Sequence, residues 1–255
     1  MTEPTILLSQ RFSQDSQAVW QAAARRSWPV HRAIRFSVPD PLPELVCAFG
    51  EVTFCGIMAE RAKLALLDVP DSWLALLPRE FVKRDVWQCT KLTVDAEKFN
   101  SRLFFKPAND KVFQCGVYER GTDLHLKHID DDCPILVSEV VEFNVEFRCW
   151  VLDGKVINCE YYRLVGERDE NAAREEAIDF AETVLAHQPE KLPSAVVLDV
   201  GIIEGRGWAV VEANQAYASG IYGDAPADDL LEVLLRAAGP ERRLLERDRP
   251  FVRLA

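Results

Sequence analysis

From about Phe81 onward the chain is written in short apolar segments of period two, separated by tight turn signals. Such a texture closes most simply as hairpins of an antiparallel sheet. The segments are residues 86–90, 102–106, 113–118, 135–140, 145–152 and 155–162. Asp153-Gly154 joins the last two as a two-residue hairpin turn, because such turns need positive φ, which Gly and Asp tolerate. After a helical stretch at 171–186, residues 195–203 and 207–213 form a second hairpin across Glu-Gly-Arg-Gly. Residues 228–238 read as a closing helix, and the charged tail beyond them as a weakly packed end. Hairpins mixed with a few helices predict an α+β domain with a mainly antiparallel sheet.

The first 80 residues have another rhythm. Residues 5–9 form a short apolar strand, and 14–26 a helix with Val19, Trp20 and Ala23 on one side. Residues 31–36 and 45–49 read as further strands, and 53–67 as a second amphipathic helix carrying Phe54, Ile57, Met58 and Leu64. Prolines at 39, 41, 43, 70 and 78 punctuate the stretch. The expectation is a small α/β lobe over residues 1–80 followed by a larger domain over 81–255, in a chain of 255 residues that can bury a sizeable core.

Charge and composition exclude several classes. A formal net charge of -11 argues against nucleic acid as the main partner, since that affinity comes from Lys and Arg on phosphates. It leaves room for a nucleotide site, which needs only a few local cations and a metal. No apolar run approaches a membrane span, and the amino end lacks a basic segment ahead of its short apolar stretch, so the cytoplasm is the expected location. The seven cysteines are scattered without a Cys-x-x-Cys, which suggests neither a zinc ribbon nor a disulfide scaffold. His125 and His128 stand one helical turn apart but have no third ligand at usable spacing, and they read as a solvated helix face. The glycine-rich phosphate loops and the Gly-x-Ser-x-Gly nucleophile turn are missing from the sequence.

The polar residues inside the apolar strands carry the functional information. Lys106 ends Arg-Leu-Phe-Phe-Lys-Pro, ahead of the polar Ala-Asn-Asp-Lys. It is either a solvated strand end or a point charge for nucleotide phosphates, with Lys111 as a second contact. In residues 145–152 the period-two rule places Glu146 and Arg148 on one face and Val145, Phe147, Cys149 and Val151 on the other. The two form either an ion pair or a ribose acceptor beside a phosphate contact. Glu139 lies where a strand gives way to a linker whose backbone groups can pair with an adenine edge, and Glu142 reads as its exposed neighbour. Asp199 and Glu212 lie on the two strands of one hairpin, and Asn214 shares a face with Glu212. Two carboxylates and an amide oxygen suit Mg²⁺ bridged to phosphates, whereas adjacent carboxylates without a cation repel. Tyr217 and Tyr222, just beyond, either line an acceptor pocket or pack the loop.

Together these residues resemble an ATP-grasp fold over residues 81–223, with a weaker likeness of the amino-terminal lobe to the domain that precedes the grasp. The separations 139 to 146, 199 to 212 and 212 to 214 are similar to those of the adenine-hinge, ribose and metal residues of D-alanine–D-alanine ligase-type members. Glu-Phe-Arg-Cys-Trp-Val followed by Asp-Gly-Lys-Val-Ile resembles the cell-division-cycle-123 branch and a related bacterial clade named for two arginines and one lysine. Phe-Phe-Lys-Pro-Ala-Asn-Asp-Lys and Glu-Ala-Asn-Gln-Ala-Tyr-Ala-Ser-Gly-Ile-Tyr-Gly resemble that bacterial clade in particular.

The resemblance implies that Lys106 contacts phosphate, that the segment Glu139, Val140, Val141 and Glu142 is the adenine hinge, and that Glu146 accepts from the ribose. It implies Asp199, Glu212 and Asn214 as ligands of one or two Mg²⁺, and Arg148 and Arg163 facing the transferred phosphoryl group or an acyl phosphate. An earlier basic contact falls at Lys83 or Arg84. The short segment between there and Lys106 departs from the D-alanine ligases and implies a reduced central lobe. The implied activity is an ATP- and Mg²⁺-dependent ligase joining a carboxylate to an amine through an acyl phosphate. An ATP-binding assembly factor and a small-metabolite kinase are the alternatives.

Overall fold

The apolar run Thr5–Leu8 (β1) is buried along its whole length and organises a three-stranded parallel sheet. It lies between β2 (Val30–Arg32) and β3 (Val46–Phe49). The computed structural model describes residues 3–97, 99–108, 112–164, 169–187, 191–223 and 227–253. The crossover from β1 to β2 is α1 (Gln14–Arg25), whose start is fixed by a reciprocal cap in which the Ser13 and Ser16 hydroxyls each accept from the other's backbone N–H at 3.1 Å. Val19, Ala22 and Ala23 are buried, while Trp20 is exposed.

Two expectations fail here. The strand expected over 31–36 stops at Arg32, and Ile34–Phe36 is a 3-10 turn in which Arg35 and Phe36 have positive φ. The helix after β3, α2 (Val52–Ala62), ends five residues before the expected 67, with Lys63 left-handed. The buried leucines beyond it run extended instead, because the carboxyl-terminal segment takes their backbone. Ala65 N–H donates to Gly239, Leu67 to Ala237 and Asp68 to Phe251.

Two short helices, α3 (Trp73–Leu76) and α4 (Arg79–Val82), lead into the second sheet, and α5 (Lys91–Glu97) follows its first strand. This antiparallel sheet holds β4 (Val86–Thr90), β5 (Leu103–Pro107), β6 (Gly116–Tyr118) and β7 (Pro134–Ser138) in the order β4-β7-β5-β6. β7 ends two residues short of the expected 140, which frees residues 139–142 from the sheet. His125 and His128 are exposed and not helical, since Leu124 and Leu126 are buried with His125 between them. The period there is two, the rhythm of extended chain.

The third sheet, also antiparallel, has the order β11-β10-β8-β9, with β8 (Phe143–Leu152), β9 (Lys155–Leu164), β10 (Ala195–Ile203) and β11 (Gly207–Asn214). Asp153 and Gly154 both adopt positive φ, as the turn signal required. One face of this sheet, with Phe147, Leu198 and Val200, packs on Ala173, Ala177 and Ala181 of α6 (Glu170–His187). The other face carries Trp150 and Val197 into a core shared with Ile6, Leu8 and Phe49 of the parallel sheet and with Leu230 and Leu234 of α7 (Leu230–Ala237). The fold is α+β, with the expected α/β beginning and mainly antiparallel remainder.

The tail does not pack weakly. Asp248 is 1% exposed and accepts from the Ser194 backbone at 2.8 Å and the Ser194 hydroxyl at 2.5 Å. Its neighbour Arg247 joins Arg236 on Asp153 at the hairpin turn. The charges that suggested a loose end are the charges that clamp it.

Gly201 on β10 stands opposite Glu146, and a Cβ there would lie 2.5 Å from the Val145 carbonyl oxygen and 2.8 Å from Phe143. Gly201→Ala is therefore expected to destabilise the fold by about 1–3 kcal/mol through overpacking, read as a lowered urea midpoint. An unchanged midpoint would contradict this register.

Candidate active site

Three adjacent strands set three charged side chains in one row. Asp199 of β10 is directly opposite Arg148 of β8 on one side and Glu212 of β11 on the other. Side chains at paired positions share a face of the sheet. Asp199 is fully buried, and Arg148 grips it with two bonds, Nε to Oδ1 at 2.9 Å and Nη2 to Oδ2 at 2.6 Å. A bidentate pair of this kind is the strong form of a charge-assisted contact. The third guanidinium nitrogen donates to the Gly220 carbonyl at 3.2 Å. Burial pushes the Asp199 carboxyl up to about 6, against the pull of Arg148.

An aromatic pair holds the arginine from outside. The Arg148 guanidinium lies 4.9 Å from the ring centre of Tyr222 and 5.7 Å from that of Tyr162, and the two rings stack with centres 5.1 Å apart. Tyr222 thus belongs to the site's edge. Tyr217 does not: it is fully buried in the amino-terminal core and donates to Asp68 at 2.5 Å.

Glu212 reaches across to the second sheet, where Lys106 of β5 donates to its Oε2. Asn214 donates its amide N–H to Glu212 at 2.9 Å and to Asp199 at 3.4 Å. Burial works to raise the Glu212 carboxyl, but Lys106 and Asn214 outweigh it and hold the group below its ordinary range. A register shift between Asp199 and Val200 leaves Val211 as an extra residue in β11, just before Glu212. Bulges of this type bend a strand and re-aim the side chains beside it. Arg84 satisfies the bulge, donating to the carbonyls of Val210 at 2.6 Å and Val211 at 3.0 Å. Burial lowers the Arg84 guanidinium to about 10.

Between the two antiparallel sheets lies a cleft of about 220 Å³. Leu74, Val86, Phe104, Leu136 and Phe143 give it apolar walls, while Arg84, Lys106, Glu146 and Glu212 make its polar side. Glu146 accepts from the Tyr162 hydroxyl at 2.8 Å, and burial raises its carboxyl. Arg163, half exposed, lies 3.8 Å from Glu146 and 3.5 Å from the exposed Glu142. The Glu139 carboxylate is taken by Arg206, at 2.6 and 3.0 Å. Val140 and Val141 line the cleft, and among the described residues no hydrogen bond occupies their backbone groups.

The choice between Lys83 and Arg84 is decided by direction. Arg84 enters the cleft, whereas Lys83 lines a separate surface depression with Arg79, Glu80 and Asp85. Lys111 lies outside the described residues. Tyr162 and Arg206 were not singled out from the sequence. Tyr162 had one available signal, its place beside Arg163 on the partner strand of the Asp153-Gly154 hairpin.

A metal fits the donor chemistry of the row. Among the described residues no group of three or more His, Cys, Asp or Glu side chains gathers. What gathers is a pair of carboxylates and one amide, hard oxygen donors suited to Mg²⁺ completed by phosphate oxygens.

The sequence model of an ATP-grasp domain family, family 2 of the clade named for two arginines and one lysine, matches residues 81–230. No curated protein matches the chain. Among solved structures, an ATP-grasp RimK domain protein from Sphaerobacter thermophilus is similar with a TM-score of 0.56 and 16% identity, over 91% of this chain and 99% of that one. D-alanyl-alanine synthetase A from Vibrio cholerae gives 0.54 and 15%, over 92% and 94%. D-alanine–D-alanine ligase from Bacillus anthracis, in complex with ATP, gives 0.52 and 12%, over 92% and 96%. At these identities the likeness is one of fold.

Arg148→Met leaves a buried carboxylate without its partner and is expected to cost about 3–5 kcal/mol in denaturant unfolding, while the double change Arg148→Met with Asp199→Leu costs less than the single one. Strictly additive losses would contradict a coupled buried pair.

Proposed function

The chain belongs to that second family of the two-arginine, one-lysine clade of ATP-grasp domains, and from that membership we propose that it is an ATP- and magnesium-dependent ligase joining a carboxylate to an amine. The observation that carries this reading is the row of Arg148, Asp199, Glu212 and Lys106 at the polar side of an apolar-walled cleft. That arrangement supplies what phosphoryl transfer asks of a protein, which is alignment and charge neutralisation rather than a covalent nucleophile.

In this reading the adenine lies between the apolar walls, with its edge on the backbone of Val140 and Val141 within the Glu139–Glu142 hinge. Glu146 accepts from the ribose, and the Tyr162 hydroxyl fixes its orientation. Lys106 and Arg84 contact the phosphates, and Arg148 and Arg163 face the transferred group. Asp199, Glu212 and Asn214 would hold Mg²⁺, which supplies neutralisation of phosphate charge when bound. A carboxylate oxygen attacks the γ-phosphorus and ADP leaves. The amine then attacks the acyl carbon, loses a proton, and phosphate leaves with the amide formed. Residues 1–80 form the lobe preceding the grasp domain, a division supported by the family match beginning at residue 81. No helix among the described residues is long and apolar enough to cross a membrane, and a cytoplasmic location belongs to the proposal.

ADP release should require a carboxylate and an amine together, measured by coupled assay over a panel of amino acids and peptides. Glu212→Gln and Asp199→Asn should each lower kcat at least about a hundredfold. Unchanged turnover in either would contradict the metal assignment. A phosphorylated product without an amide would identify a kinase. ATP binding without turnover, with a partner chain co-purifying, would identify an assembly factor of the cell-division-cycle-123 kind.

A further inference from the structure

The two carboxylates that the metal assignment needs are each engaged by a cation of the protein itself. Arg148 takes both oxygens of Asp199, and Lys106 takes one of Glu212. Asn214 turns its N–H toward both carboxylates, the reverse of what a metal requires. These are not loose surface pairs, whose effect would be small. The Asp199 side chain is 1% exposed and that of Arg148 10%, and Tyr222 with the Gly220 carbonyl keeps the guanidinium in place. The acids Asp199, Glu212 and Glu146 are matched by Arg148, Lys106 and Arg84, so the site is formally balanced.

That balance has consequences for binding. A divalent cation arriving alone adds charge to a neutral site and must share each carboxylate with a resident cation or displace that cation without offering it a new partner. Unpartnered charge in a buried site is costly. Nucleotide phosphates arriving alone meet cations already engaged. When both arrive, the phosphates accept Lys106 and Arg148, the carboxylates are released to the metal, the Asn214 amide reverses, and the incoming charges largely cancel.

We propose that Lys106 and Arg148 are exchangeable internal counter-ions of the metal carboxylates, so that divalent cation and nucleotide bind as a mutually dependent set and the cation alone binds weakly. The proposal rests on the ligase reading and deepens it. It assigns these two residues a role in keeping free cation out as well as holding phosphate. The coupling is reciprocal, as linkage demands.

Manganese is the probe, titrated by electron paramagnetic resonance and calorimetry into the full chain without nucleotide, and again with ADP. Lys106→Gln removes one competitor and is expected to tighten Mn²⁺ binding without nucleotide by about tenfold, within the usual range of coupling energies, while weakening binding of Mn²⁺ with ADP. Arg148→Gln makes the same prediction through Asp199 and is read if the first variant does not give folded protein by thermal melt. Equal or weaker binding of Mn²⁺ alone in the folded variants overturns the counter-ion role and leaves the ligase reading standing. If neither wild type nor variant binds Mn²⁺, with or without ADP, the metal assignment fails and the ligase reading fails with it.

Discussion

The buried fork between Arg148 and Asp199 is the constraint around which the rest of the site is arranged. A carboxylate with no solvent exposure persists as an anion only if a cation meets it with good geometry. Arg148 does so from the neighbouring strand, at paired positions, and is itself held by the Tyr222 ring and the Gly220 carbonyl. Once Asp199 is fixed, Glu212 and Asn214 follow from the adjacent strand, and Lys106 ties the row to the opposite sheet. Two sheets are thereby held against one cleft by charged groups rather than by apolar contact alone.

The fold makes this geometry by small departures from regularity. The extra residue Val211 re-aims the end of β11, and its carbonyl and that of Val210 would be orphaned without the Arg84 guanidinium. Gly201 lets β10 and β8 approach where Glu146 must fit. At the far end of the chain, Asp248 and Arg247 close the hairpin end of β8 and bring the tail back over the leucines after α2. The amino-terminal sheet, α7 and the Trp150 face of β8 then form one core.

Much of this was legible in the sequence because its carriers are local. Asp153-Gly154 specifies its turn through φ alone, and alternation in 145–152 places Glu146 and Arg148 on one face whatever lies around them. The pairing of Asp199 with Glu212 follows from one tight hairpin. The misses come from contacts between distant segments. Leu64 to Leu67 continue the helical period of α2, but the carboxyl-terminal segment competes for their backbone. His125 and His128 fit a helix by spacing, while the burial of Leu124 and Leu126 obeys a period of two. Counting from the turn pairs Glu146 with Tyr161, whereas two register shifts bring Arg163 opposite it and Tyr162 onto its carboxylate. Lys83 and Arg84 differ only in direction, which a left-handed Lys83 sets and composition does not.

The central claim is that a single nucleotide–metal site lies on this charged row, and a structure with a non-hydrolysable ATP analogue and Mg²⁺ tests it most directly. The account predicts the adenine edge on the Val140–Val141 backbone, Lys106 moved from Glu212 onto a phosphate oxygen, and Asp199, Glu212 and the Asn214 oxygen around the metal. Nucleotide bound elsewhere, with Lys106 still on Glu212 and Arg148 still on Asp199, would contradict it.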